Sequence, residues 1–244
     1  MKAVILAAGR GARMRPLTCA RPKALIPVAG RPLLEHVIAG LVSQGVHDFL
    51  VVIGYLGDQI ESHFGTGEAI GCSITYRLQP EATGSGHAAL LAEDFAAGEP
   101  FLLSFADILT GARNYHRLLE KSRTASADAI IGINWMEDPY AGAAVYVEGD
   151  RVVRLVEKPP RGAAATNWNN AGVMVLTPII FDALRRIPRS PRGEYELPQA
   201  VARLVEEGRD VLAVPFEGLR SDVADPEEVL RLNALAQAGG LDLS

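Results

Sequence analysis

The first 27 residues constrain this chain most. They read MKAVILAAGRGARMRPLTCARPKALIP. Val4, Ile5 and Leu6 form a short apolar run of the kind that makes a buried strand. The run breaks at once into Ala7-Ala8-Gly9-Arg10-Gly11-Ala12-Arg13, small and basic residues with no hydrophobic period. A strand ending in such a loop can wrap backbone N–H groups around a polyphosphate. Glycine lets the main chain approach the phosphates, and arginine offers forked donors to their oxygens. Arg10, Arg13, Arg15, Arg21 and Lys23 fall within fourteen residues, in a chain whose formal net charge is −5. That local concentration of cations suits an anionic nucleotide. Neither the net charge nor any basic run points to nucleic acid.

At 244 residues the chain is long enough for one large domain or two small ones, and its 48% hydrophobic content is ordinary for a globular protein. Leu34, Val37, Ile38, Leu41 and Val42 repeat on one helical face, with Pro32 in the first turn and Gly45 at the end. Residues 49–53 and 101–105 read as buried strands, 73–78 and 129–133 as further strands, and 58–64 and 87–95 as helices, with Leu118 and Leu119 in another helix. This alternation predicts an α/β fold: a Rossmann-like, mixed but mostly parallel sheet flanked by helices. The rhythm changes near Asp138-Pro139. Two strands, 143–148 and 151–156, flank a turn at Gly149-Asp150, residues 161–166 are small and flexible, and 172–176 is a strand. Helices at 179–186 and 197–207, a strand at 211–214 and a helix starting near Asp225 complete the pattern. We expect one domain over residues 1–244, in two halves that divide where the rhythm changes, one over about 1–135 and one over about 136–238. Two cysteines, Cys19 and Cys72, point to a reducing compartment, and no apolar stretch approaches the ~20 residues needed to span a bilayer. A cytoplasmic protein without a membrane partner is expected. Homo-oligomerisation is compatible with the sequence, which does not specify it.

The opening loop lacks the third glycine of a dinucleotide fold, Met14 standing in its place, and it lacks the Gly-Lys-Ser/Thr of a P-loop. Its own string is Gly9-Arg10-Gly11-Ala12-Arg13, then Pro16-Leu17-Thr18, then Arg21-Pro22-Lys23, ending at Pro27. On this string the chain resembles the sugar-1-phosphate nucleotidylyltransferase family, most closely its glucose-1-phosphate thymidylyl- and uridylyltransferases. Residues 79–88, Asp107, Pro139-Tyr140-Ala141-Gly142, Val156-Glu157-Lys158-Pro159, Asn169-Asn170-Ala171-Gly172, Gly193-Glu194-Tyr195-Glu196 and Asp222 extend the resemblance over nearly the whole chain. It implies that the half over about 1–135 binds the nucleotide and the half over about 136–238 the sugar phosphate, with a nucleotide site at Leu6, Ala8, Gly9, Gly11 and Arg13, and with Gln79 and Gly84 facing the base. It implies sugar-phosphate contacts from Gly142, Glu157, Lys158, Asn170 and Glu194, catalytic roles for Arg13, Lys23 and Lys158, and Mg²⁺ held by Asp107 and Asp222. The chain departs from the family pattern at Ala12, where threonine is frequent, at Ala106 in place of glycine, and at Arg220, Ala224 and Asp225 around the second aspartate.

The implied reaction transfers a nucleotidyl group from a nucleoside triphosphate, UTP or dTTP favoured, to a sugar 1-phosphate, giving NDP-sugar and pyrophosphate. Two polyanions must meet, so positioning and charge dominate the barrier. The phosphate nucleophile is already ionised at neutral pH, and none of the five histidines is needed as a base. Two other readings compete: a cytidylyltransferase acting on a non-sugar phosphate such as phosphocholine, and a regulatory subunit that binds NDP-sugar without turnover. The sugar-side residues Glu157, Lys158 and Asn170 argue against the first, and intact Arg13, Lys23, Asp107 and Lys158 against the second.

Overall fold

The computed structural model describes residues 1–243. By its internal contacts the chain forms two compact units. Unit 1 comprises Met1–Ala82, Ser104–Tyr115 and the described residues from Gly218 onward, and unit 2 comprises Thr83–Leu103 and His116–Glu217. The chain crosses between them inside strand Phe101–Phe105 and inside helix Ala112–Thr124.

In unit 1, strand Lys2–Ala7 runs parallel to Asp48–Ile53, with Val4 opposite Leu50, and Asp48–Ile53 runs parallel to Ser73–Leu78. Ala3 to Ile5 and Phe49 to Val52 are fully buried, which is why these segments are continuous apolar runs. Helix Leu33–Val42 buries Leu34, Val37, Ile38 and Leu41 of the stripe its spacing predicts, and Leu33 besides, whereas Val42 is only half-buried. Gly45, at φ +80, stops it there. A second core of unit 1 gathers Met14, Ile26, Val28, Leu33, Leu109, Val223, Val229 and Leu232. Met14 adjoins Arg13 and Val223 adjoins Asp222, so burying these apolar neighbours brings distant charged residues together.

Two strands of unit 1 were not legible beforehand. Ile108–Thr110 pairs antiparallel with Arg220–Asp222, Asp222 lying opposite Ile108. Helix Pro226–Gln237 follows, and Asp225 caps it by accepting the Glu228 N–H at 2.9 Å.

Unit 2 is mixed, and its strands pair mainly antiparallel. Strand Trp168–Leu176 runs antiparallel to Ala129–Trp135, while Val211–Pro215 runs parallel to Ala129–Trp135. Ala143–Glu148 and Arg151–Glu157 form a hairpin through Gly149, at φ +63, and Asp150. A two-residue turn can join only antiparallel strands, so the parallel order seen in unit 1 does not carry through unit 2. The strand expected at 172–176 begins earlier, at Trp168, because a bulge between Asn170 and Met174 lets pairing resume behind Gly172. The helix expected at 87–95 is two, Ser85–Leu90 and Glu93–Ala96. Bonds from Leu91 N to Ala88 O and Ala92 N to Ala89 O tighten the chain between them. Helices Ile179–Arg186 and Leu197–Glu206 complete this unit, and Phe101 stacks on Phe181 with centroids 5.5 Å apart. Among the described residues no helix is long and apolar enough to cross a membrane. Cys19 and Cys72 are both free.

Candidate active site

The opening loop leaves strand Lys2–Ala7 and turns through Gly11, at φ +59, into a 3-10 turn over Ala12–Met14. A side chain at Gly11 would meet Thr18 Cγ2 at 3.0 Å and Lys23 Cβ at 3.2 Å, so both its φ and its surroundings favour glycine. The Thr18 hydroxyl donates to Gly11 O at 2.8 Å and ties the loop down. Tyr55 Oη donates to Cys19 O at 3.2 Å and Gln59 Nε2 to Ala20 O at 3.1 Å, fixing the approach to Lys23. The main chain of Leu6 and Ala8 is also engaged. Leu6 O accepts the Ala106 N–H at 3.1 Å, and Ala8 O accepts the Tyr55 N–H at 3.4 Å. Nothing crowds Gly9.

Lys23 is 14% exposed and its Nζ pairs with Asp107 Oδ2, with Asp222 Oδ1 at 4.0 Å. The main chain links the same two aspartates, Val223 N donating to Asp107 O at 3.0 Å. Unit 1 therefore brings together Gly11, Arg13, Lys23, Asp107 and Asp222, five of the residues singled out by sequence. The Asp222 side chain keeps 45% of its surface open, yet its packed surroundings raise the carboxyl pKa. Partial desolvation is the main cause and the Asp107 carboxylate adds to it, while Lys23, Arg220 and Arg13 oppose it. Arg220 is a cation that sequence reading passed over as a departure from pattern. Burial lowers its pKa, and both Asp222 and Asp107 counter that shift.

No group of three His, Cys, Asp or Glu residues suited to a metal occurs among the described residues. Two neighbouring carboxylates without a third protein ligand fit a hard divalent cation that takes its remaining oxygens from phosphates and water.

Gln79 follows strand Ser73–Leu78, is buried, and donates its N–H to Ile53 O at 2.8 Å. Gly84 belongs to unit 2 and sits at φ +111. A Cβ there would lie 2.3 Å from Tyr195 O, so packing alone already demands glycine. Thr83 Oγ1 meets His87 Nδ1 beside it, in keeping with a histidine that packs near this segment.

On the other charged cluster, all in unit 2, strand Arg151–Glu157 ends at Glu157, and Lys158 turns to φ +44. The Lys158 N–H donates to Gly142 O at 2.7 Å. Its Nζ comes to 3.5 Å from Glu157 Oε1. Glu157 is 12% exposed, and its pKa is pushed up to about 7. Burial is the main cause, Lys158 opposes it, Glu196 adds to it, and Arg192 opposes it in turn.

Asn170 is buried, with Oδ1 accepting the Gly172 N–H at 3.0 Å. Glu194 reaches the cluster through Arg192, whose Nη2 lies 3.6 Å from Glu194 Oε2 and also pairs with the buried Glu196. Glu196 accepts the Ser190 hydroxyl at 3.1 Å as well. Arg192 and Glu196, like Arg220, are residues to which sequence reasoning gave no role. Their signal was their place in the Gly193-Glu194-Tyr195-Glu196 segment and its flank.

The stretch expected to be flexible at 161–166 is held at several points. Arg161 stacks over Tyr140 at 4.6 Å, Gly162 N donates to Asp138 Oδ2 at 2.8 Å, and Thr166 Oγ1 donates to Val145 O at 2.9 Å.

A parallel strand running into a glycine- and arginine-bearing loop, with a lysine laid between two aspartates, marks an α/β enzyme that handles phosphates. The sequence model of the nucleotidyl transferase family matches residues 2–238, and the chain belongs to that family. The UTP–glucose-1-phosphate uridylyltransferase AglF of Haloferax volcanii is 36% identical over 231 residues, covering 93% of each chain. The glucose-1-phosphate thymidylyltransferase of Streptomyces griseus is 31% identical over 239 residues, which are 96% of this chain and 66% of that one. The fold matches that of a UDP-glucose pyrophosphorylase complexed with UDP-glucose, with a TM-score of 0.86 over 98% of each chain at 23% identity. The α/β fold and the family expected from the opening string are thus borne out.

Proposed function

We propose that this protein is a sugar-1-phosphate nucleotidylyltransferase, using UTP or dTTP and a sugar 1-phosphate to make NDP-sugar and pyrophosphate. The carrying observation is Lys23, set against Asp107 and within 4.0 Å of Asp222, with Gly11 folded beside its side chain. In this reading Arg13 and Lys23 take the triphosphate and the pyrophosphate that leaves. Lys158 holds the attacking sugar phosphate as a point charge. An oxygen of that phosphate bonds to the α-phosphorus as the bond to the pyrophosphate oxygen breaks. No side chain has to remove a proton. Glu157 accepts from sugar hydroxyls. Asn170 donates to and accepts from them, its Oδ1 keeping a lone pair beyond the one that takes the Gly172 N–H. Gln79 and Gly84 face the base, and Arg192 adds a cation on the sugar side. Asp107 and Asp222 would hold Mg²⁺, which would supply charge neutralisation to the phosphates. The cytoplasm is the compartment this reading assigns, and both free cysteines fit it.

The test is a pyrophosphate-release screen of the common nucleoside triphosphates against sugar 1-phosphates, with glucose 1-phosphate first because both named relatives carry it in their names. Release with UTP or dTTP is expected. Release only with CTP and phosphocholine would move the chain to the competing cytidylyltransferase reading.

A further inference from the structure

Asn169 joins the sugar-side residues through a buried amide with one atom unaccounted for. The residue is 2% exposed. Its Nδ2 donates to Asn134 Oδ1 at 3.0 Å and to Asn170 O at 2.8 Å. Both partners are oxygens, so the nitrogen must face them and the amide oxygen must point the other way. That oxygen, Oδ1, is buried with no hydrogen-bond partner. Buried acceptors are rarely left unpaired, and one that is needs a reason.

The reason lies on the neighbouring turn. A Cβ built on Gly142 would lie 2.1 Å from Asn169 Oδ1. Glycine carries a hydrogen in that direction instead, which meets the oxygen in a weak C–H···O contact. Gly142 O in turn accepts the Lys158 N–H at 2.7 Å, and Lys158 holds a left-handed φ of +44°. A lysine stays in that region only where its surroundings fix it.

We propose that Asn169 is a positioning residue of the sugar-phosphate side. One buried amide seats Gly142 through Oδ1, fixes the direction of Lys158 through the Gly142 carbonyl, and holds the main chain of Asn170 through Nδ2. A purely cross-strand role needs only the bond to Asn134 and leaves the orphan oxygen and the glycine unexplained. The inference rests on the proposed function for its kinetic arm and on the contact chain alone for its structural arm.

The experiment combines steady-state kinetics with amide hydrogen exchange at Lys158, on the full chain. In Asn169→Ala, KM for the sugar 1-phosphate should rise about tenfold, the effect of one lost hydrogen bond, with KM for the nucleoside triphosphate within about twofold of wild type. The Lys158 amide should exchange about tenfold faster. Gly142→Ala tests the same contact from the turn, without removing a core residue, and should give the same pair of changes. It also covers the case in which Asn169→Ala fails to fold. Equal rises in both KM values, or an unchanged Lys158 amide in a folded variant of either kind, would overturn the proposal. If wild type turns over no substrate pair, the enzymatic reading fails on its own, and faster Lys158 exchange in the variants still distinguishes a real contact chain from its absence.

Discussion

Glu157 and Lys158 are chain neighbours whose charged ends meet, Lys158 Nζ lying 3.5 Å from Glu157 Oε1. In a strand, successive side chains point to opposite faces. Here the strand ends at Glu157 and Lys158 takes φ +44, which turns its side chain back towards its neighbour. Left-handed backbone is unfavourable for a residue with a Cβ, and Gly142 O holds it in place.

That geometry separates backbone strain from charge. Lys158→Ala and Lys158→Gly both remove the cation and should raise KM for the sugar 1-phosphate at least tenfold, with KM for the triphosphate little changed. Only glycine also relieves the φ, so Lys158→Gly should be more stable than Lys158→Ala by about 1 kcal/mol in urea unfolding. Equal stability would show that the backbone at 158 carries no strain.

The Glu157 carboxyl, raised from 4.5 to about 7 chiefly by burial, links folding to pH. Between these two values the folded protein binds more protons at this site than the unfolded chain does. This contribution is complete below the unfolded value and is lost as pH rises through about 7, amounting to roughly 3 kcal/mol at most. Urea unfolding from pH 5 to pH 8 should therefore show wild type losing stability relative to Glu157→Gln. Parallel pH profiles for the two proteins would remove Glu157 as the source.

Lys23 is the cation between Asp107 and Asp222, so replacing it affects both partners. Lys23→Met should lower kcat/KM for the triphosphate about a hundredfold or more and leave KM for the sugar 1-phosphate nearly unchanged. Asp222→Asn should abolish Mg²⁺-dependent turnover, and EDTA should stop wild type until Mg²⁺ is restored. Near-normal turnover of Asp222→Asn would take that carboxylate out of the site.

Gly84→Ala probes a position with two demands on it. A methyl group there would lie 2.3 Å from Tyr195 O, on backbone already at φ +111. Folding should suffer first, by about 3 kcal/mol or more, seen as a lower urea midpoint. A stable variant with altered preference among bases would place the role of Gly84 in recognition alone.

The opening loop was legible because its chemistry is local: glycine for close approach, arginine and lysine for phosphate, all within 27 residues. The helix at Leu33–Val42 was legible through its periodicity. The pairing of Ile108–Thr110 with Arg220–Asp222 was not, since three-residue strands carry no pattern and lie about a hundred residues apart. Asp222 could be singled out by motif, yet what brings it to Lys23 is burial of Val223 with Met14 and Leu109. Asn169 was hidden because its importance depends on a bulge and on a turn more than twenty residues away, neither visible in residue type. In unit 2 the hairpin was legible from Gly149-Asp150, whereas the mainly antiparallel pairing was masked by apolar runs that read alike in either direction.

Phosphorus NMR of the purified protein with UTP or dTTP, glucose 1-phosphate and Mg²⁺ tests nucleotidyl transfer most directly. Pyrophosphate and an NDP-sugar should grow in equal amounts as both substrates disappear. A folded protein that leaves every triphosphate and sugar 1-phosphate pair untouched would contradict the proposed activity.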